Sequence, residues 1–219
     1  MCQSENPPKS SEVMPISHLL ESIGFSDASL QLAARPVIEA AGFTNPRKIN
    51  ISTDKAKLVE AYIKNNFSLV CSPACAAALG KKRVRTQLQV EIKKCEFCNG
   101  SKQNKLLAKM AKDLFDQNLL EILVVGGSPQ SASTLNRVLK NCNINIKVIE
   151  GTKRTNSKTA KLLCRTADVV VIWGATQLDH TVSQVFSAAT ESNKKVPVAR
   201  PGLKALAEAM NIHLDNLRK

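Results

Sequence analysis

The chain has 219 residues, enough for one large domain or two small ones, and its hydrophobic content of 43% excludes global disorder. It carries 31 Lys and Arg against 18 Asp and Glu, so its net charge of +13 favours a polyanion such as nucleic acid over an acidic membrane surface. No apolar run approaches the length of about 20 residues that crosses a bilayer, and no secretory signal opens the chain. We therefore expect a cytoplasmic protein with no membrane partner.

The chain begins with a predicted flexible tail, because residues 1–14 are polar and contain prolines. A helical segment is predicted over residues 15–67. Its first helix covers ISHLLESI and ends near Gly24. The second runs from about Ser29 to Ala41, and Pro36 either splits it or marks a new first turn.

The burial expected for these helices follows their apolar spacing. In the second helix the residues expected inside are Leu32, Val37 and Ile38, and Gly42 is expected to end the helix. A third helix is expected from a Thr53 cap to about Asn66, with the apolar stripe Leu58, Val59, Tyr62 and Ile63. Three short helices are a common arrangement, and a helix-turn-helix that reads DNA is the alternative.

Four of the seven cysteines form two close pairs, Cys71 with Cys75 and Cys95 with Cys98. An odd number of cysteines without an export signal argues against a disulfide framework. Two thiolates two or three residues apart on a tight turn can bind one tetrahedral ion, and two such turns complete a structural Zn2+ site. The second pair is followed by Asn99-Gly100, which gives permissive backbone, and by a helix that carries Leu106, Leu107, Met110 and Leu114.

Residues 68–119 are therefore predicted to form a basic zinc-binding module, similar to zinc-ribbon and treble-clef modules. Within it, VRTQLQVEI alternates as a strand or hairpin arm would. Two alternatives stay open: reduced cysteines in a helical core, since CSPACAAAL also fits an ordinary helix, and an iron–sulfur cluster. A catalytic zinc is disfavoured because no nearby His or acid supplies an open site or a base.

Positive charge is concentrated between Arg47 and Lys112, which carry 15 Lys or Arg against four acids. Phosphate contacts need only such charges, so we expect binding to DNA or RNA without base readout. The residues predicted to make these contacts are Arg47, Lys48, Lys81, Lys82, Arg83, Arg85, Lys93 and Lys94. The lysines of the following helix, at 102, 105, 109 and 112, fit a phosphate-binding face or a merely solvated one. A second cluster without acids comprises Lys153, Arg154, Lys158, Lys161 and Arg165.

Residues 120–219 are predicted to form an α/β domain. Four β-branched runs, ILVVGG, INIKVIE, DVVVIWG and KVPVAR, alternate with stretches of helical length. This alternation predicts four parallel strands joined by right-handed crossovers. The predicted fold class is therefore α/β, with a small C-terminal parallel sheet after the helical segment and the four-cysteine module.

The loops at the carboxyl ends of these strands are expected to line one crevice for a nucleotide or another phosphate-bearing ligand. The residues predicted to bind it are Gly126, Gly127, Ser128, Glu150, Lys153, Arg154, Thr176, Asp179 and His180. Because GxGxxG and GxxxxGK[ST] are both missing from the sequence, tight turns and a plain Asp-His helix cap are alternatives. No Ser or Cys stands out as a nucleophile that His180 would activate, so no catalytic residue is predicted.

Residues 121–210 resemble the bacterial family catalogued as domain of unknown function 2325. The resemblance rests on the strand ending in VVGG, on IEGTKRTNSK, on ADVVVIW, on the helix that begins at His180, and on KVPVARPGLKALAEAM. It implies a Rossmann-like fold and brings no established reaction. The serine–histidine step of the family reads Asp179-His180 in this chain.

The sequence thus predicts a cytoplasmic, zinc-containing protein with a nucleic-acid-binding or regulatory role. Its Rossmann-like domain is expected to dock a partner or sense a ligand. One alternative is a nucleotide sensor or enzyme acting at the crevice around Gly127 and His180. A protein-interaction adaptor is another. The choice between DNA and RNA, the small ligand and a homodimeric state stay open.

Overall fold

The structure, a computed structural model, describes residues 12–80, 85–174 and 178–218. The chain divides into two compact units, Met1–Cys71 with Val84–Cys95 and Ser72–Arg83 with Glu96–Lys219. The described residues form a mixed α/β fold with nine α-helices and a four-stranded parallel sheet. This confirms the predicted α/β class.

The first unit contains three helices and two small sheets. The helices are α1 (Ile16–Ile23), α2 (Ala28–Ala40) and α3 (Thr53–Asn66). The strands are β1 (Val13–Pro15), β2 (Asn50–Ser52), β3 (Phe67–Val70) and β4 (Thr86–Gln89), and a 3-10 turn covers Ile92–Lys94.

Strand β1 pairs with β2 antiparallel, so it takes in Val13 and Met14, which the sequence analysis placed in the tail. β4 pairs with β3 in parallel, so the predicted strand over VRTQLQVEI is not a hairpin arm of β3.

Helix α2 runs through Pro36 without a break, after Asp27 accepts hydrogen bonds from the first backbone N–H groups. Proline cannot donate to the carbonyl of Leu32, but that turn faces solvent, where water can satisfy the carbonyl. Leu32 is 75% exposed, so the prediction that it is buried is wrong. Gly42 follows the helix at φ +77, and the N–H of Phe43 bonds the carbonyl of Ile38, which confirms the predicted helix end.

The core of the first unit is formed by one face of each helix. α1 contributes Ile16, Leu19, Leu20 and Ile23, which are all at most 4% exposed. On α3, Ala56, Val59 and Ile63 define the buried face, so Leu58 points elsewhere and is 61% exposed, against the sequence prediction. Each fully buried aliphatic side chain contributes about 1.5–3 kcal/mol, so these faces account for much of the unit's stability.

The second unit contains six helices and the parallel sheet. The helices are α4 (Pro73–Leu79), α5 (Lys102–Asp116), α6 (Pro129–Asn141), α7 (Ser157–Thr166), α8 (His180–Ala189) and α9 (Leu203–Leu217). The strands are β5 (Glu121–Gly126), β6 (Asn145–Ile149), β7 (Val169–Trp173) and β8 (Lys195–Val198). All neighbours in the order β6-β5-β7-β8 pair in parallel, which confirms the four predicted strands.

Helices cover both faces of this sheet. On one face α7 and α8 pack through Ala160, Cys164 and Phe186 against Leu123 and Val125 of β5. Alternate side chains of a strand point to opposite faces, so the equally buried Val124 and Val171 show that the second face is covered as well. The two central strands are therefore buried from both sides, which is why they read as continuous apolar runs.

Candidate metal centre

The four predicted metal ligands come together in the fold. The Sγ atoms of Cys71, Cys75, Cys95 and Cys98 all lie within 4.8 Å of one another. None of the six cysteines in the described ranges forms a disulfide. A tetrahedral ion with zinc–sulfur bonds of about 2.3 Å holds its thiolates about 3.8 Å apart, a separation within the 4.8 Å limit of this cluster. The cluster can therefore hold a metal ion.

The first pair of thiols is positioned by the start of α4. Cys71 follows β3, and the hydroxyl of Ser72 accepts a hydrogen bond from the backbone N–H of Cys75 at 3.2 Å. Pro73 opens the helix, so Cys75 lies in its first turn and is fully buried. The alternative of an ordinary helix over CSPACAAAL is thus correct for Pro73–Leu79 only, since Cys71 precedes the helix, and both thiols belong to the cluster.

The second pair lies on the tight turn that the sequence predicts. Cys95 comes directly after the 3-10 turn, and the carbonyl of Cys98 accepts a hydrogen bond from the N–H of Ser101 at 2.7 Å. Asn99 and Gly100 have φ values of +43 and +78, in the left-handed region that these residue types tolerate. The hydroxyl of Ser101 then caps α5, which buries Leu107, Met110 and Leu114 as predicted.

The donor set of this cluster consists of four cysteine sulfurs. Cys75, Cys95 and Cys98 are buried and Cys71 is partly exposed. Within the described residues, no imidazole or carboxylate joins the four sulfurs in this cluster. A four-thiolate site leaves no coordination position for a substrate or a reactive water, unlike catalytic zinc sites with three protein ligands.

The remaining described cysteines lie apart from this cluster. Burial raises the pKa of the Cys142 thiol to about 11, so this residue stays protonated at neutral pH. The sulfur of Cys164 accepts a hydrogen bond from the hydroxyl of Thr190 at 3.2 Å inside the core. These two thiols therefore behave as core side chains and serve as natural controls for the four clustered ones.

Among the predicted nucleic-acid-binding residues, the Arg85 side chain and the backbone of Lys48 form hydrogen bonds within the protein. The Arg85 guanidinium donates to the carbonyl of Lys64 at 2.7 Å. Arg35 stabilises the loop that carries Arg47 and Lys48, because its guanidinium donates a hydrogen bond to the backbone carbonyl of Lys48 at 2.6 Å. Arg47, Lys48, Lys93 and Lys94 are exposed. The predicted residues Lys81, Lys82 and Arg83 lie outside the described ranges.

The lysines of α5 do not form a uniform face of unpaired charge. Lys109 bonds Asp113 at 2.8 Å and Asp215 at 3.1 Å, and Lys112 pairs with Asp116. Lys102 and Lys105 are exposed, and neither has an ion-pair partner in the described part of the chain. Half of the positive charge on this helix is thus neutralised by neighbouring carboxylates.

The predicted ligand residues are divided between different places. Gly127, Ser128 and Glu150 line a cavity of about 550 Å³ at the carboxyl ends of β5 and β6. Arg154 lines a second cavity, of about 360 Å³, beside Thr155 and Val182. The residues that line neither of these two cavities are Gly126, Lys153, Asp179 and His180. Thr176 lies outside the described residues.

The details of these loops favour local structural roles. A Cβ on Gly127, at φ +89, would come within 2.7 Å of the Trp173 ring, so this glycine lets the strand end pack against tryptophan. The hydroxyl of Ser128 caps α6 by accepting the N–H of Ser131. The exposed Nε2 of His180 lies 3.1 Å from the side-chain nitrogen of Gln184. The tight-turn alternative therefore accounts for Gly127 without a ligand.

Comparisons of the chain with protein-family models, with curated proteins and with solved structures found no match. Among the helices that the structure describes, none combines the length and the hydrophobicity needed to cross a membrane.

Proposed function

We propose that this chain is a zinc-binding protein that contacts nucleic acid through its phosphate backbone. The observation that carries the proposal is the cluster of four sulfur atoms within 4.8 Å of one another. A closed four-thiolate site stabilises a fold and leaves no position for catalysis, which favours a binding role over an enzymatic one. Thiolates suit both zinc and iron–sulfur centres, but four thiols this close together fit one ion better than a larger iron–sulfide body.

Nucleic acid is the partner that the charge favours. The net charge of +13 attracts polyanions and raises their rate of encounter. Exposed cations such as Arg47, Lys48 and Lys93 make no ion pair within the described residues, so they are able to contact phosphates. Each such contact releases counterions from the nucleic acid, which makes the affinity depend steeply on salt.

The test uses the full-length protein, with a matched pair of cysteine variants. We expect one zinc ion per wild-type chain by elemental analysis, and loss of that ion together with partial unfolding in Cys98→Ala. The control Cys142→Ala removes another buried thiol, outside the cluster, and should keep the metal. A wild-type protein that is folded and free of metal would contradict the zinc site.

The same preparations test the partner. The affinity of the wild type for duplex DNA and duplex RNA should fall linearly on a double logarithmic plot against salt, with a slope of about −0.9 for each phosphate contact. If zinc-loaded protein binds neither nucleic acid even at low salt, the proposed function is wrong.

We propose as a second candidate function that the sheet-bearing unit senses a phosphate-bearing ligand, on the Rossmann-like fold that the resemblance to domain of unknown function 2325 implies. Two observations support it: the strand order reverses between β5 and β7, and a cavity lined by Gly127 and Glu150 lies at the strand ends. We expect a nucleotide to raise the melting temperature of the wild type. The rise should be smaller for Glu150→Gln, which loses a cavity-lining carboxylate able to accept from a ribose hydroxyl, than for the control Glu191→Gln, which lines neither cavity. If no nucleotide in a panel shifts the melting temperature, this candidate is contradicted.

A further inference from the structure

Helix α7 carries a stripe of exposed basic side chains. Lys158, Lys161 and Arg165 follow one another at three- and four-residue spacing, so they share one face of the helix. The opposite face is buried, with Ala160 0% and Cys164 3% exposed. The stripe therefore has a fixed direction, away from the core against which α7 packs.

A fourth cation, Lys147, extends this stripe. Lys147 belongs to β6, the edge strand of the sheet, and its side chain lines a small groove together with Leu163 and Thr166 of α7. We call Lys147, Lys158, Lys161 and Arg165 the α7 surface. It combines one residue of the sheet edge with three of the helix.

The charge of the α7 surface is not neutralised by the protein. In the described ranges none of its four residues forms an ion pair, whereas Lys109 and Lys112 of α5 bond to carboxylates. Helix α8, which packs beside α7, contains no acidic residue. Two carboxylates lie nearby: Glu121, which lines the same groove as Lys147 and accepts from the Asn145 amide, and Asp168, which accepts the N–H groups of Leu120 and Glu121. Neither forms an ion pair with the four cations in the part of the chain that the structure describes.

The geometry of the α7 surface fits a phosphodiester backbone. Lys158 and Arg165 are seven residues apart, which is about 10 Å along an α-helix. Phosphates of one strand recur about every 3.4 Å along the axis of a duplex, so a helix of this length can reach several of them. Exposed hydroxyls on the same helix, Ser157 and Thr159, can donate to phosphate oxygens as well.

An acidic membrane fits this surface less well. A helix that lies in a membrane interface buries a wide apolar face in the lipid. The apolar face of α7 is already used in the core, and only Leu162, 61% exposed, remains among the cations. The surface can therefore offer charge but little apolar area.

We infer that the α7 surface is the principal nucleic-acid contact of this chain, in addition to the basic residues near the cysteine pairs. The inference rests on the proposed function, because it names the surface through which that function would act. It assigns the phosphate contacts to residues beyond the segment in which the sequence concentrates positive charge.

The test compares two triple variants that remove the same charge. Lys158→Gln with Lys161→Gln and Arg165→Gln removes the helix stripe, and Lys105→Gln with Arg137→Gln and Lys140→Gln removes three exposed cations from α5 and α6. Affinity for fluorescent duplex DNA and duplex RNA is measured at several salt concentrations. The stripe variant should lose about tenfold or more in affinity and about 2.7 in salt slope, since each phosphate contact contributes about 0.9. The control should change the slope by less than about 1.

A charge-preserving variant tests whether binding depends on the charge at these three positions or on other effects of changing the side chains. Lys158→Arg with Lys161→Arg and Arg165→Lys should bind as the wild type does, because point charges suffice for phosphate contacts. Equal losses in the stripe and control triples would overturn the inference while leaving nucleic-acid binding intact. A wild type without affinity for either duplex would overturn the proposed function itself. If the stripe variant loses binding to anionic vesicles but keeps its nucleic-acid affinity, the surface is a membrane contact, which would also overturn the inference.

Discussion

Gly127 lies just after β5, where the backbone and the packing both restrict the residue type. A glycine was expected at this strand end, and its φ of +89 needs one. Packing also requires a glycine here, because the ring of Trp173 lies 2.7 Å from the place of a Cβ. Trp173 is 1% exposed, so its ring has little room to move aside. A substitution at Gly127 is therefore a change in the core.

Two alanine substitutions can separate the ring contact from backbone strain. Gly127 and Gly202 share a φ of +89, but nothing lies within 4 Å of a Cβ on Gly202. Gly202→Ala should cost only the strain, about 1 kcal/mol in the free energy of unfolding, and Gly127→Ala should cost about 2 kcal/mol more. Urea denaturation of both variants measures the difference. Equal losses would show that Trp173 accommodates the added methyl group.

At the scale of elements, α5 and α9 are joined through a buried carboxylate. Asp113 is 7% exposed and bonds Lys109 and Arg218, each at 2.8 Å. Burial of the Asp113 carboxyl would by itself raise its pKa, but the hydrogen bonds and charges of Lys109 and Arg218 lower the pKa overall. The pairing of Lys109 with Asp113 follows from i, i+4 spacing, while Arg218 is distant in sequence.

The lowered pKa of Asp113 predicts a loss of stability in acid. The unfolded chain binds the proton near pH 4, before the folded chain does, so the contribution is complete above about pH 5 and disappears as the pH falls through the folded value. Asp113→Asn should lower the free energy of unfolding by about 2 kcal/mol at neutral pH, and the gap from the wild type should narrow as the pH falls through the lowered folded pKa of Asp113. Asp116→Asn, whose side chain is 41% exposed, should cost less than about 1 kcal/mol. A gap for Asp113→Asn that is constant with pH would contradict this assignment.

For the whole molecule, the excess of positive charge in each compact unit differs from what the basic stretch of the sequence suggests. The stretch from Arg47 to Lys112 combines segments of both compact units. In the described residues of the first unit, nine Lys or Arg face seven acids, and in those of the second unit 17 face ten. The larger excess therefore lies in the unit that contains α7, which agrees with the surface inferred above.

The sequence alone determined the features that arise within a few residues. The 3.6-residue spacing of apolar residues predicted α1, and β-branched runs between stretches of helical length predicted the strands β5 to β8. The turn after Cys98 could also be predicted, since asparagine and glycine, which follow it as Asn99 and Gly100, are the residue types that tolerate a left-handed backbone. The clustering of the four thiols could also be expected, because the short spacing within each pair places both of its thiols on one turn.

The tertiary structure alone decided which distant residues meet. Only the fold brings the Trp173 ring to Gly127, joins Arg218 to Asp113 and pairs β4 with β3 in parallel. It also turned Leu32 and Leu58 toward solvent, since helical spacing permits several apolar faces and packing selects one. These outcomes depend on contacts between segments far apart in the chain, and local propensity and spacing carry no information about such contacts.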